Sequence, residues 1–145
     1  VIESRGLGDV YKRQFQIKEI DLGLVADVGT LQRLPTLIPQ GIVRELAFTG
    51  RSFDGKEALS MGLLNNCYEN KESLMQGVLE VARSIAAKSP LAISGIKETL
   101  LYSRDHSVQE SLNQVATWNS AMLLSEDLEE AMMAHLQNRT GKFSD

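Results

Sequence analysis

The stretch Phe15-Gln-Ile-Lys-Glu19-Ile-Asp-Leu-Gly23-Leu-Val-Ala-Asp27-Val-Gly29-Thr-Leu-Gln-Arg-Leu-Pro35 decides how this chain is to be read. Phe15 and Ile17 alternate with Gln16 and Lys18, the two-residue period of a short strand. Glu19 stands at the end of that strand. Asp21 to Asp27 contains Gly23 and reads as a loop, and Gly29 to Leu34 can make a short helix that Pro35 stops. Leu22, Leu24, Val25 and Ala26 lie between Glu19 and Asp27. Carboxyl groups held among apolar side chains are suited to proton transfer near neutral pH. On the residues alone a plainer reading stays open, with both carboxylates solvated and Asp27 a simple N-cap.

Downstream, Pro39 begins a helix through Phe48 with Ile42, Val43, Leu46 and Ala47 on one side, and Gly50 is placed to end it. Asp54 with Glu57 matches a capping box opening a short helix that ends near Gly62. Asn65 to Tyr68 reads as a short strand. The second half is helical. Leu74, Val78, Val81, Ala82 and Ile85 recur at helical spacing; Ser89-Pro90 is an N-cap followed by proline; Ile93, Ile96, Leu100 and Leu101 carry the next apolar face. Ser107 with Glu110 is a second capping box ahead of Val108, Leu112, Val115, Ala116 and Met122. A last helix from about Ser125 uses Leu128, Ala131, Met132 and Leu136.

Upstream, Val1 to Gln14 follows neither period and lacks the apolar middle of a signal peptide. It reads as a non-native or disordered leader and is set aside from the fold. One or two short strands cannot hide both faces of a sheet. Covering Phe15 and Ile17 is therefore expected to need strands lying before this chain begins.

The chain has 145 residues, 43% hydrophobic and 23% charged, with 15 Lys plus Arg against 19 Asp plus Glu. That size suits one domain, and the net charge of −4 argues against general affinity for nucleic acid or an anionic membrane. The single cysteine, Cys67, excludes an internal disulfide and reads as a small core residue. His106 and His135 lack metal-ligand spacing, so no metal is expected. Asp105-His106-Ser107 has triad residue types, but neighbours in a chain point apart, and a helix boundary with an N-cap is the better reading. Met122, Met132 and Met133 read as core or interface filler.

Phe15, Glu19, Gly23, Gly29, Gln32, Arg33 and Leu34 together form a larger pattern. It continues through Leu46-Ala-Phe-Thr-Gly50, Glu57-Ala58, Gly62-Leu63, Ala86 to Pro90 and Lys97. The whole resembles the crotonase superfamily, the enoyl-CoA hydratase/isomerase family, over essentially everything after residue 14. The resemblance implies an α/β fold of the crotonase-like ββα spiral type. This chain would supply its C-terminal half: residues 15–70 from the core and residues 71–145 as a helical trimerisation region, mainly α with one or two short strands. Ordinary hydratases usually have Gly where this chain has Asp27. That Asp resembles the dienoyl-CoA isomerase branch, as do Leu100-Leu-Tyr-Ser-Arg-Asp-His-Ser-Val108, Glu110-Ser-Leu112 and Trp118-Asn119.

The implied reaction is isomerisation of a 3,5-dienoyl-CoA to a 2,4-dienoyl-CoA in unsaturated fatty-acid β-oxidation, moving a proton from C2 to C6. Glu19 is the candidate at C2 and Asp27 at C6, though the two roles could be exchanged. The family's two backbone N–H donors to the thioester oxygen, and the third acidic residue of the isomerase branch, are expected before this chain begins. Loss of one such donor costs roughly 10²- to 10³-fold in rate, so the chain as it stands is expected to be inactive. Lys142 and Phe143 resemble a CoA-contacting basic-aromatic pair, against the plainer reading of a frayed tail. No cofactor is implied, CoA being part of the substrate. The expected partners are the acyl-CoA thioester and further copies of the chain, as a homotrimer or homohexamer, without nucleic acid or membrane. Helical faces after Leu74 exceed what half a domain would bury, so exposed apolar surface is expected. The chain ends Lys-Phe-Ser-Asp, without a Ser-Lys-Leu-type peroxisomal address, and a bacterial cytoplasmic source is favoured over a mitochondrial or peroxisomal one. The alternatives are an enoyl-CoA hydratase, and a non-catalytic helical oligomerisation module.

Overall fold

The computed structural model describes residues 9, 10 and 12–143. Four two-residue strands pair into two small ladders: β1 (Asp9–Val10) runs parallel to β4 (Cys67–Tyr68), and β2 (Gln14–Phe15) runs antiparallel to β3 (Phe53–Asp54). This corrects the expected one or two strands. It also moves the edge of the leader, because Asp9, Val10 and Gln14 belong to the fold. Asp9 is buried, accepts the Val10 N–H at 2.8 Å and pairs with Arg13 at 3.4 Å. Residues 1–8 and Tyr11, also assigned to the leader, lie outside the described residues. A two-residue bridge is too short to show a period, which is why composition alone placed it outside the fold.

Phe15 and Ile17 are both buried, as their alternation predicts. What covers them is this chain. The Phe15 ring stacks on Phe53 with centroids 5.3 Å apart, and both residues join a core built from Leu34, Ile38, Val43, Leu46, Ala58, Leu63 and Leu64. The expectation that strands outside the chain are needed to cover them is therefore corrected. Val43 and Leu46 come from α2 (Gln40–Thr49), which starts after Pro39 and stops where Gly50 adopts φ 61° and donates its N–H to the Leu46 carbonyl. Before it, α1 (Thr30–Arg33) ends ahead of Pro35 as expected, and the chain passes directly into a 3-10 turn, Leu34–Thr36. The N-cap of α3 (Gly55–Ser60) is Asp54, which accepts the Glu57 N–H at 2.9 Å. Only half of the expected capping box forms, because the Glu57 carboxylate instead takes Arg51 as a fork, at 2.6 and 3.1 Å.

Four longer helices follow: α4 (Lys71–Ala86), α5 (Pro90–Tyr102), α6 (Val108–Met122) and α7 (Glu126–Leu136). The described residues form two compact units that divide between Glu80 and Val81, inside α4. In the first unit the Tyr68 phenol lies across Gly77 of α4, where any Cβ would meet it. In the second unit α5 and α6 pack through small groups. The Trp118 indole sits over Gly95, and the Ser103 and Ser111 hydroxyls are 2.6 Å apart. The predicted caps form. Ser89 accepts the Ala92 N–H at 3.0 Å; Ser107 and Glu110 make a complete box; Ser125 accepts the Leu128 N–H.

The apolar faces of these helices are another matter. Among the described residues after Leu64, Ala134 is the one hydrophobic side chain that is buried. Ile96, Leu100, Val108, Leu112, Leu124 and Leu136 are all exposed, Leu124 at 93%. The predicted stripes exist, and much of each faces outward, in line with the expected exposed apolar surface. Among the described residues no helix is long and apolar enough to cross a membrane.

Candidate active site

Glu19 opens a four-residue 3-10 turn, Glu19–Leu22, and does not close a strand. The turn is drawn tight by the Asp21 N–H on the Lys18 carbonyl at 3.0 Å and by the Leu24 N–H on the Glu19 carbonyl at 3.0 Å. Gly23 ends it in the left-handed region, at φ 69°. Glu19 is half-buried there.

The turn rests against the end of α2. A Cβ on Gly50 would come within 2.7 Å of the Ile20 Cγ2 and 3.1 Å of the Asp21 Oδ1, so only a glycine leaves room for this approach. The Gln16 side-chain amide completes the joint, donating to the Gly50 carbonyl at 2.6 Å and reaching the Asp21 carboxylate at 3.4 Å. Sequence reasoning missed Gln16. No local spacing signals a bond between residues so far apart; the only signal available was its place between Phe15 and Ile17, whose alternation reads as a strand.

From Gly23 the chain runs without regular structure past Ala26, which is buried in the core, to Asp27, which is exposed. Asp27 is not an N-cap: Gly29, at φ 90°, precedes α1 and no side chain caps that helix. The Arg33 guanidinium folds back over Gly29, its Cζ 3.4 Å from where a Cβ would stand. Leu22, Leu24, Val25 and Val28 are all exposed, Val25 at 77%. The apolar setting predicted for the two carboxyls is thus an open apolar surface, with Glu19 and Asp27 at the two ends of one short loop.

Lys142 and Phe143 are placed apart from that loop in sequence and belong to the second unit. Against the plainer reading of a frayed tail, this segment is tied to α7. Arg139 pairs with Glu130 of α7, one of its two contacts at 2.9 Å, and the Lys142 N–H donates to the same carboxylate at 2.7 Å. These donors pull the Glu130 carboxyl down to about 2, the Arg139 bonds being the larger cause. The Phe143 ring lies over Gly141.

His106 and Cys67 lie away from the Glu19–Asp27 loop in sequence. His106 Nδ1 lies 2.8 Å from the Tyr102 carbonyl and 2.7 Å from the Asp105 carboxylate, and its ring stacks on Tyr102. The carbonyl first, and Asp105 after it, favour the protonated ring and raise its pKa. Ser107 turns away to cap α6, so Asp105-His106-Ser107 is a helix boundary and not a triad. The Cys67 thiol is half-buried, and desolvation pushes its pKa up, with Asp54 and Asp9 adding to it. Among the described residues no three His, Cys, Asp or Glu side chains group as a metal site would require. An apolar groove of about 350 Å³ between α5, α6 and α7 is lined by Leu91, Ala92, Trp118, Met122 and Leu128. At its edge Asp127 accepts the Ser89 hydroxyl, and none of the predicted site residues lines it.

With this geometry in place, the pattern of the Enoyl-CoA hydratase/isomerase family matches residues 10–145. The chain belongs to that family. Enoyl-CoA hydratase/isomerase relatives include the peroxisomal Delta(3,5)-Delta(2,4)-dienoyl-CoA isomerase of Arabidopsis thaliana, 49% identical over 90% of this chain and 47% of that protein. The mitochondrial Delta(3,5)-Delta(2,4)-dienoyl-CoA isomerase of Homo sapiens is 51% identical over 86% of this chain and 38% of that protein. The chain therefore spans less than half the length of either. Among solved structures, a probable enoyl-CoA hydratase/isomerase from Mycobacterium abscessus matches with TM-score 0.84 at 30% identity, over 92% of this chain and 53% of that one. The crotonase-type α/β fold follows from that match.

Proposed function

We propose that this chain carries the proton-transfer residues of a dienoyl-CoA isomerase acting in unsaturated fatty-acid breakdown. The observation that carries the reading is the loop Glu19–Asp27, which holds one carboxyl in a docked turn and the other at an exposed position across an apolar stretch. The identity of 49% and 51% to proteins named as dienoyl-CoA isomerases supports it.

The Glu19 carboxylate removes the acidic C2 proton of a 3,5-dienoyl thioester, and the electron pair delocalises from the enolate through C4 to C6. Asp27, in its acid form, delivers a proton to C6. The C3–C4 and C5–C6 double bonds become C2–C3 and C4–C5 double bonds, and exchange of one proton with solvent resets the pair. The step needs no cofactor; CoA enters as part of the substrate, and we assign Lys142 and Phe143 to its binding. The exposed apolar faces of α5 to α7 support assembly with further copies of the chain, as a trimer or a hexamer of paired trimers. The relatives' names favour a mitochondrial or peroxisomal setting over the bacterial cytoplasm.

In the complete enzyme, Asp27→Asn should lower 3,5-diene isomerisation at least 10²-fold, within the range that a positioned acid or base contributes, while leaving hydration of a 2-enoyl thioester nearly unchanged. Isomerisation at the unaltered rate would remove Asp27 from the mechanism. Loss of hydration alone would favour a hydratase.

A further inference from the structure

We infer that Gln16 is a positioning residue for Glu19, coupling the turn that carries this carboxylate to the C-terminal end of α2. The inference rests on the catalytic reading of Glu19 given above and adds to it the device that fixes where the carboxylate stands.

A primary amide has two N–H donors, and Gln16 spends them on two different elements. One goes to the Gly50 carbonyl at 2.6 Å, at the left-handed residue that ends α2. The other reaches Asp21 at 3.4 Å, two residues after Glu19 in the same turn. Among the described residues the turn has little else to hold it in place. Leu22 is exposed and Ile20 is 44% exposed, so apolar burial cannot fix its orientation. Its own 3-10 bonds fix its shape but not its position. Position comes from the Ile20 methyl and the Asp21 carboxylate settling on Gly50, and from the Gln16 amide bridging the two sides. Gln16 is also tied from behind, since Phe15 and Ile17 on either side of it are buried in the core. The chain of support thus runs from the core through Gln16 to Asp21, and from there to Glu19. A catalytic group displaced by about 1 Å can lose 10²-fold in rate, so a joint of this kind is read in turnover more than in folding.

The test is a double-mutant cycle in the complete enzyme, with kcat and KM measured separately on a 3,5-dienoyl thioester. Gln16→Ala is expected to lower kcat about 10-fold with KM within two-fold of its original value and with an unchanged circular dichroism spectrum. Gln16→Glu, which keeps the shape but removes the donors and sets a carboxylate against Asp21, is expected to do at least as much, and it serves if the alanine variant folds poorly. In a Glu19→Gln background, Gln16→Ala is expected to cost no further activity, because the amide acts through the carboxylate. A full additional 10-fold loss in that background would overturn the inference, as would unchanged kcat in both Gln16 variants. Glu19→Gln measured alone separates the two claims: unaltered turnover there sinks the catalytic reading itself, whereas a large loss there with no effect at Gln16 sinks only the positioning role.

Discussion

Glu130 gathers donors from one short piece of chain: both terminal nitrogens of Arg139 and the backbone N–H of Lys142. Its carboxyl is held at about 2 against an ordinary value of 4.5. A depressed acid contributes stability that is complete above the unfolded value and is lost as pH falls through the folded one. The tail carrying Lys142 and Phe143 should therefore stay docked above pH 4.5 and loosen between about pH 4.5 and 2. Carbon-13 carboxyl titration of Glu130, followed with amide exchange at Lys142, checks this; ordinary titration near 4.5 would mean the tail is not held. At this scale the sequence was legible where residues act in a pattern. Ser107 was readable because its partner Glu110 lies three residues on. Gln16 was not, because its meaning depends on Gly50, which comes close only after folding. Glu57 was misassigned for the same reason: Arg51 outcompetes the N-cap backbone for its carboxylate, a charged fork against a neutral N–H.

Between elements, α5 and α6 meet over Gly95 with the Trp118 indole laid against it. Gly95→Ala sets two effects against each other. Alanine gains about 1 kcal/mol of helix propensity over glycine. The new Cβ collides with the only tryptophan, and such overpacking costs roughly 1–3 kcal/mol. Net destabilisation is expected, with a shifted Trp118 emission maximum, read by urea unfolding followed in fluorescence; net stabilisation would mean the indole is free to move. Ser107→Ala should cost about 1 kcal/mol by the same assay, through loss of the α6 N-cap. The longer helices, the Ser89 and Ser107 caps and the terminating Gly50 were legible in advance, since each is specified by residues within one or two turns. The strands were legible in part: the stretches at Phe15 and at Asn65 to Tyr68 hold β2 and β4, whereas Asp9–Val10 and Phe53–Asp54 carried no signal. Each is two residues long, and the pairing of Asp9–Val10 with Cys67–Tyr68 is fixed by tertiary contact instead of by any period.

Over the whole molecule the uneven burial is the dominant fact. The core of Phe15, Leu46, Phe53 and their neighbours is closed, while Val108, Leu112, Leu124 and Leu136 stand in solvent. The purified chain should accordingly sediment above its 16.0 kDa, and Leu124→Glu combined with Leu136→Glu should shift it toward the monomer. A monomer before substitution would show that these faces do not recruit copies of the chain. The amphipathic stripes were legible from periodicity, but periodicity does not say what a stripe packs against.

The parallel pairing of β1 with β4 has a consequence for the order in which the molecule assembles. Asp9 meets Cys67 only after the chain between them has closed into a loop that holds α1, α2 and α3. Closing a loop of that length costs entropy that a two-residue ladder cannot offset, so the intervening helices must already have drawn the ends together. The ladder is then a late event in folding. The Cys67 thiol is its natural clock, its protection from alkylation rising after helix formation is complete.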